Sequence, residues 1–173
     1  QGSNGKIRNT TLRDARKLNL VPSVTTILDK TKPYEKIQAL NEWKKRVGEA
    51  EANRITKEAS GRGTSMHSNL ERFLAGLERQ GGSNLVHQQS HKMADVIIEN
   101  GLSNVNEIWA MEQSLYFPGL FSGTTDLVGV HEGEPALMDY KQTNKPKKAE
   151  WVEDYYLQLM AYILAHNEVY GTD

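Results

Sequence analysis

The stretch from Ser122 to Lys148 constrains this chain more than any other. It reads Ser-Gly-Thr-Thr-Asp126-Leu-Val-Gly-Val, breaks at the polar segment from His131 to Glu134, and resumes as Pro-Ala-Leu-Met-Asp139-Tyr-Lys141-Gln-Thr. Two short β-rich runs around a glycine-containing loop predict a hairpin. Side chains alternate along a strand, so Asp139 and Lys141 are expected on the same side of the sheet. With Asp126 facing them from the partner strand, two carboxylates and an ammonium would share a small volume.

Such a cluster is costly unless something binds to it. Two ionised carboxylates about 4 Å apart repel by roughly 4 kcal/mol at an effective dielectric near 20. A hard divalent cation such as Mg²⁺ converts that repulsion into coordination. A lysine beside it can orient or activate a water, or neutralise a phosphate. These are the parts that phosphodiester hydrolysis requires. On local pattern alone, a solvated hairpin with a structural ion pair fits as well.

The remaining residues give this hairpin a setting. The polar first twenty residues predict a flexible segment over 1–20, and a length of 173 residues predicts a single domain over 21–173. No apolar run is long enough to cross a membrane, and no secretory segment is expected. The absence of cysteine excludes disulfides and Cys-ligated zinc, and fits a reducing interior. The net charge of −1 does not advertise nucleic acid, but its distribution is uneven. Lys6, Arg8, Arg13, Arg16 and Lys17 cluster near the start. Residues 107–139 hold Glu107, Glu112, Asp126, Glu132, Glu134 and Asp139 without a Lys or Arg, and Lys141, Lys145, Lys147 and Lys148 follow. An acidic centre bordered by basic segments suits a metal site beneath a groove for a phosphate backbone; a solvated surface of uneven charge is the alternative.

Ser23 reads as the N-cap of a short helix through Leu28. A long helix is expected from Tyr34 to about Ala59, packing through Tyr34, Ile37, Leu40, Trp43 and Val47, and ended by Gly61-Arg62-Gly63. Its Lys36, Lys44, Lys45, Arg46, Arg54 and Lys57 form a solvated face or one that touches phosphates. The next helix starts near Thr64 and puts His67 and Glu71 on one face, with Glu71 either orienting His67 or forming an ordinary surface pair. Gly81 to Asn84 is a break before a helix from Leu85 to Asn100. His87 and His91 there have zinc-pair spacing, but no carboxylate motif accompanies them. Glu107 to Phe117 reads as a strand in which Glu112 shares parity with Ile108, Ala110, Ser114 and Tyr116. It turns at Pro118-Gly119 into the Asp126 strand and completes an antiparallel meander. A last helix, about Ala149 to His166, aligns Trp151, Tyr155, Gln158 and Tyr162 on one face, beside a stripe of Val152, Tyr156, Leu159 and Ile163. Trp151 and Tyr155 suit a core or a base-stacking surface equally.

Taken together, Gly63-Thr-Ser-Met-His67, Gly123-Thr-Thr-Asp126, Asp139-Tyr-Lys141 and Gln158-Leu-Met-Ala-Tyr162 resemble the motifs of the PD-(D/E)XK nuclease superfamily, RecB-like exonuclease branch. Pro22-Ser-Val-Thr-Thr-Ile-Leu and the general layout are similar to the phage and mitochondrial exonucleases of that branch, over roughly residues 21–166. The resemblance implies an α/β, restriction-endonuclease-like core: a central mixed β-sheet that begins as an antiparallel meander, flanked by α-helices, with an N-terminal helical region. It implies that His67, Asp126, Asp139 and the Tyr140 carbonyl hold Mg²⁺ or Mn²⁺. Lys141 would position or activate the attacking water, and Glu112 is a further candidate catalytic acid, for a second metal or a water, with a merely structural acid as the alternative. Gln158 and Tyr162 would support the lysine and substrate, and Arg62, Lys145 and Tyr155 would contact substrate.

The implied activity is exonucleolytic hydrolysis of DNA, with single-stranded ends preferred. A structure-specific or double-strand endonuclease on the same fold is one alternative, and a catalytically silent DNA-binding module is another. No P-loop is present, so unwinding would need a helicase or recombination partner. No membrane is implied, and the oligomeric state stays open. The expected setting is the cytoplasm of a bacterial or phage-infected cell, ahead of the mitochondrial matrix. Two departures stand out: Gln142 occupies a position that is often Ser or Thr, and the sequence ends seven residues after His166, where the family usually continues with another strand, so that strand is expected either to be absent or to be cut off by an early stop.

Overall fold

The computed structural model of the protein describes residues 21–144 and 146–172. The basic cluster over 6–17 and Lys145 therefore lie outside the described residues. Four helices come first: α1 (Val24–Lys30), α2 (Tyr34–Val47), α3 (Glu49–Leu74) and α4 (Leu85–Asn100). Three strands follow, β1 (Val105–Phe117), β2 (Phe121–His131) and β3 (Glu134–Met138), and then α5 (Glu153–Tyr170). Single 3₁₀ turns at Leu102–Asn104 and Ala149–Trp151 lead into β1 and α5.

Ser23 caps α1 as expected, its hydroxyl accepting the Thr26 N–H at 3.1 Å. The helix expected from Tyr34 to Ala59 is instead two, broken at Gly48, where φ is +87°. That conformation suits glycine alone. Conversely, Gly61-Arg62-Gly63, expected to stop a helix, lies inside α3. Arg62, Met66, Asn69 and Leu70 form a buried stripe at i, i+4, i+7 and i+8 that runs across this point. Its burial outweighs the roughly 1 kcal/mol that each helical glycine costs. The apolar stripe expected to pack on α2 does not: no α2 residue is buried, and Tyr34 is 67 % exposed.

The sheet is antiparallel in the order β1-β2-β3. Its hairpin between β2 and β3 closes on the pair His131↔Glu134, with Glu132 at φ +53° and Gly133 at φ +86°. Two consecutive positive φ values make the type I′ turn that matches strand twist. Parallel pairing is confined, among the described residues, to a bridge between Ser23 and Ser122. The Ser122 N–H donates to the Pro22 carbonyl there at 3.0 Å.

Helices cover both faces of the sheet. Met138 packs with Met66, Leu70, Ala94 and Leu127, and its neighbour Leu137 packs with Val24, Leu115, Tyr162 and Ala165. Adjacent strand residues point to opposite faces, so α3 and α4 cover one side and α1 and α5 the other. The parity expected along β1 fails at Ile108. Register shifts between Val105 and Glu107 and between Ile108 and Ala110 insert extra residues, which decouples Ile108 from Glu112.

Candidate functional site

Four elements meet at Asp126. β2 carries Asp126 itself, β1 places Glu112 opposite it, α3 brings His67, and the segment leaving β3 brings Asp139, Tyr140 and Lys141. The pairs Met111↔Leu127 and Gln113↔Thr125 fix Glu112 as the residue facing Asp126 across the ladder. Glu112 has φ +48°, a strained conformation for a residue with a Cβ.

Asp139 and Lys141 were expected within a strand, but β3 ends at Met138. Side chains of β2 replace the ladder there. The Thr125 hydroxyl donates to the Met138 carbonyl at 3.0 Å, and Asp126 Oδ2 accepts the Tyr140 N–H at 2.5 Å. The expected proximity survives, because Lys141 Nζ and Asp139 Oδ2 form a direct ion pair. Asp139 Oδ1 accepts from Gln158 Nε2 at 3.2 Å, and the same amide nitrogen donates to the Tyr162 hydroxyl at 2.9 Å. Tyr162 lies so close to Gly123 that a Cβ there would sit 2.2 Å from its Cε1. The glycine of that motif is thus a packing requirement of Tyr162, distant in sequence but adjacent in space.

His67 Nδ1 donates to Asp126 Oδ1 at 3.0 Å. Ligand atoms of His67, Glu112 and Asp126 all lie within 4.8 Å of one another. Accepting that hydrogen bond, Asp126 raises the His67 pKa against the opposing effect of burial. Burial, followed by the charges of Asp126 and Glu71, pushes Glu112 up to about 7. Asp139 is also raised by burial, with Lys141 pulling the other way. Acids whose ionisation is made harder by burial and by one another's charge mark a place where a cation would relieve the crowding. One imidazole and two carboxylates form a nitrogen–oxygen donor set that fits a divalent ion. Asp139 stands outside that three-residue group, with Lys141 and Gln158 on its oxygens.

Other expected residues lie elsewhere. Arg62, expected at the substrate, is 7 % exposed, and its Nε donates to Gln142 Oε1 at 2.9 Å. Gln142 Nε2 in turn donates to the Ala59 carbonyl at 3.1 Å, so this amide pins the segment after Lys141 to α3. Glu71 was expected to orient His67, but Asp126 makes that bond and Glu71 acts on Glu112. His87 and His91 do not converge: His87 bonds Ser65 at 3.1 Å, and His91 lies between Arg79 and the Gln80 carbonyl. Tyr140 is buried, its phenol raised by that burial, with its ring against His67. Sequence reasoning missed the clamp formed by Gln142, whose only signal was its departure from a small hydroxylic residue.

Residues 34–172 match the PD-(D/E)XK nuclease superfamily. The chain belongs to that superfamily. As a PD-(D/E)XK nuclease it is also similar to mitochondrial genome maintenance exonuclease 1 of Mus musculus, at 31 % identity over 157 residues, covering 86 % of this chain and 45 % of the relative. The Xenopus tropicalis protein of that name is 28 % identical over 161 residues, covering 85 % and 43 %. The Homo sapiens protein is 27 % identical over 157 residues, covering 86 % and 44 %. The chain thus spans less than half the length of these relatives.

Proposed function

We propose that this PD-(D/E)XK nuclease is a Mg²⁺- or Mn²⁺-dependent deoxyribonuclease that removes nucleotides from single-stranded ends, with residues 21–173 acting as one nuclease domain. The observation that carries this reading is the convergence of His67, Glu112 and Asp126 beside the Asp139–Lys141 pair. The exonuclease names of the relatives support digestion from ends.

His67, Glu112 and Asp126 would hold the cation, with Asp139 and the Tyr140 carbonyl at its border. A divalent ion bound there supplies Lewis-acid polarisation of the phosphoryl group. Lys141 donates hydrogen bonds that position the attacking water. As the new bond from water oxygen to phosphorus forms, the bond from phosphorus to the leaving oxygen breaks, and that oxygen takes up a proton. Gln158 fixes the orientation of Asp139 and, through Tyr162, ties it to α5.

The test uses single-stranded DNA labelled separately at its two ends, with Mg²⁺, Mn²⁺ or EDTA, and circular single-stranded DNA alongside. The expected result is metal-dependent shortening from an end, lost in Lys141→Ala, with the circle intact. Cutting of the circle would replace the exonuclease reading with an endonuclease. Binding without turnover in every metal would leave a DNA-binding module.

A further inference from the structure

Beside the acidic cluster lies a surface that borders Asp139 and Lys141 and extends onto residues to which the hydrolytic chemistry gives no role. A cavity of about 290 Å³ is lined by Asp139 and Lys141 on one side and by Val152, Tyr155, Tyr156 and Leu159 on the other. Lys147 Nζ lies 4.6 Å from the centroid of the Tyr155 ring and bonds its hydroxyl, while Lys141 Nζ approaches the same ring at 5.6 Å. Lys148 Nζ lies 5.5 Å from the Trp151 ring. Trp151 and Tyr156 are 52 % and 65 % exposed, large aromatic surfaces that the fold leaves in water.

We propose that Trp151, Tyr155 and Tyr156, interleaved with Lys141, Lys147 and Lys148, form a stacking platform for the unpaired nucleotides that lead into the site. Aromatic faces accept any base in turn, and ammonium groups beside them track the phosphates. Paired bases hide their faces in the duplex stack, so the platform selects unwound strands without reading sequence. Charge complementarity favours nucleic acid over an apolar protein partner: three lysines frame the aromatics, and one of them is Lys141 itself. Of the two acids in the first turn of α5, Glu153 and Asp154, Asp154 is paired with Lys36 at 3.3 Å. A protein seated on this face would cover Asp139 and Lys141. The inference rests on the nuclease reading for its substrate, and its test does not depend on turnover.

Fluorescence anisotropy in EDTA, with labelled dT₁₂, an abasic strand of equal length and a duplex, measures the platform directly. Trp151→Ala and Tyr156→Ala change exposed residues and are expected to keep the wild-type circular dichroism and melting profile. Each should weaken dT₁₂ binding on the order of tenfold, while abasic-strand binding stays as in wild type and Trp151→Phe restores most of the loss. The wild type should bind dT₁₂ more tightly than either control. Equal binding of dT₁₂ and the abasic strand, or alanine variants that bind dT₁₂ like the wild type, would overturn the proposal and leave the face to another occupant. Hydrolysis that persists in that case would preserve the nuclease reading. An intact platform in a protein with no turnover in any metal would instead remove the nuclease reading and keep the platform.

Discussion

Asp126 and Asp139 are the two motif carboxylates, yet the fold holds them in different ways. Asp126 sits inside β2, is almost fully buried, and receives hydrogen bonds from the Tyr140 backbone and His67. Asp139 lies past the end of β3 and is held by side chains alone, Lys141 and Gln158. Asp126 is therefore part of the sheet's own hydrogen bonding, and Asp139 belongs to a group that can re-form around a ligand. The first acid doubles as structure. The second is held mainly for chemistry.

Removing each acid should expose that difference. Asp126→Ala and Asp139→Ala should both lower the hydrolysis rate by about 10²–10³-fold or more, the effect expected on losing a preorganised electrostatic group. Only Asp126→Ala also strands the buried Tyr140 N–H, and denaturant unfolding should report a loss of about 1–3 kcal/mol. Asp139→Ala strands no backbone donor and leaves Lys141, one-third exposed, open to water, so its loss of stability should be smaller than that of Asp126→Ala although the Asp139 carboxylate is itself buried. Equal destabilisation by both would erase the distinction.

The supports of the second acid come next in size. Gln158→Ala frees Asp139 from α5 and should slow hydrolysis about 10–100-fold, as loss of an orienting partner does. Gln142→Ala acts on the same segment from the other side, leaving the buried Arg62 without its Nε acceptor, and should cost about 1–3 kcal/mol in unfolding free energy. A Gln158 variant that hydrolysed DNA at the wild-type rate would show that Asp139 does not depend on this support.

The smallest effect concerns Glu112 and pH. Its carboxyl is raised from 4.5 to about 7 in the fold, chiefly by burial and then by Asp126 and Glu71. The folded state therefore holds this proton more tightly than the unfolded chain. The contribution to stability is fully present below pH 4.5 and is lost as pH rises through about 7. In metal-free buffer, Glu112→Gln should melt at nearly the wild-type temperature at pH 4 and above it at pH 8. A melting difference independent of pH would contradict the crowding of acids around Asp126.

The sequence was most legible where local chemistry decides the outcome. The β2–β3 hairpin was readable because Glu132-Gly133 suits its turn, and α1 because Ser23 is a capping residue. Glycine was ambiguous: Gly48 breaks a helix and Gly61 and Gly63 do not, and only the burial of Arg62, Met66 and Leu70 separates the cases. Glu112 was identified, and its position opposite Asp126 follows from the register set at the β1–β2 turn, whereas the bulges before Ala110, which alternation does not encode, break its parity with Ile108. Burial of Arg62 was hidden as well, since a charged side chain is buried here through an amide far away in sequence. Trp151 and Tyr155 read equally as core and base-stacking surface, and the fold leaves Trp151 exposed and Tyr155 half-buried.

The central claim is that His67, Glu112 and Asp126 together hold a divalent ion. Titration with Mn²⁺, followed by loss of the free ion's electron paramagnetic resonance signal, tests it without any nucleic acid. The account predicts saturable binding at pH 8 that is greatly weakened in His67→Gln, Glu112→Gln and Asp126→Asn and unchanged in His87→Gln. Wild-type binding in all three site variants, with each one folded, would contradict it.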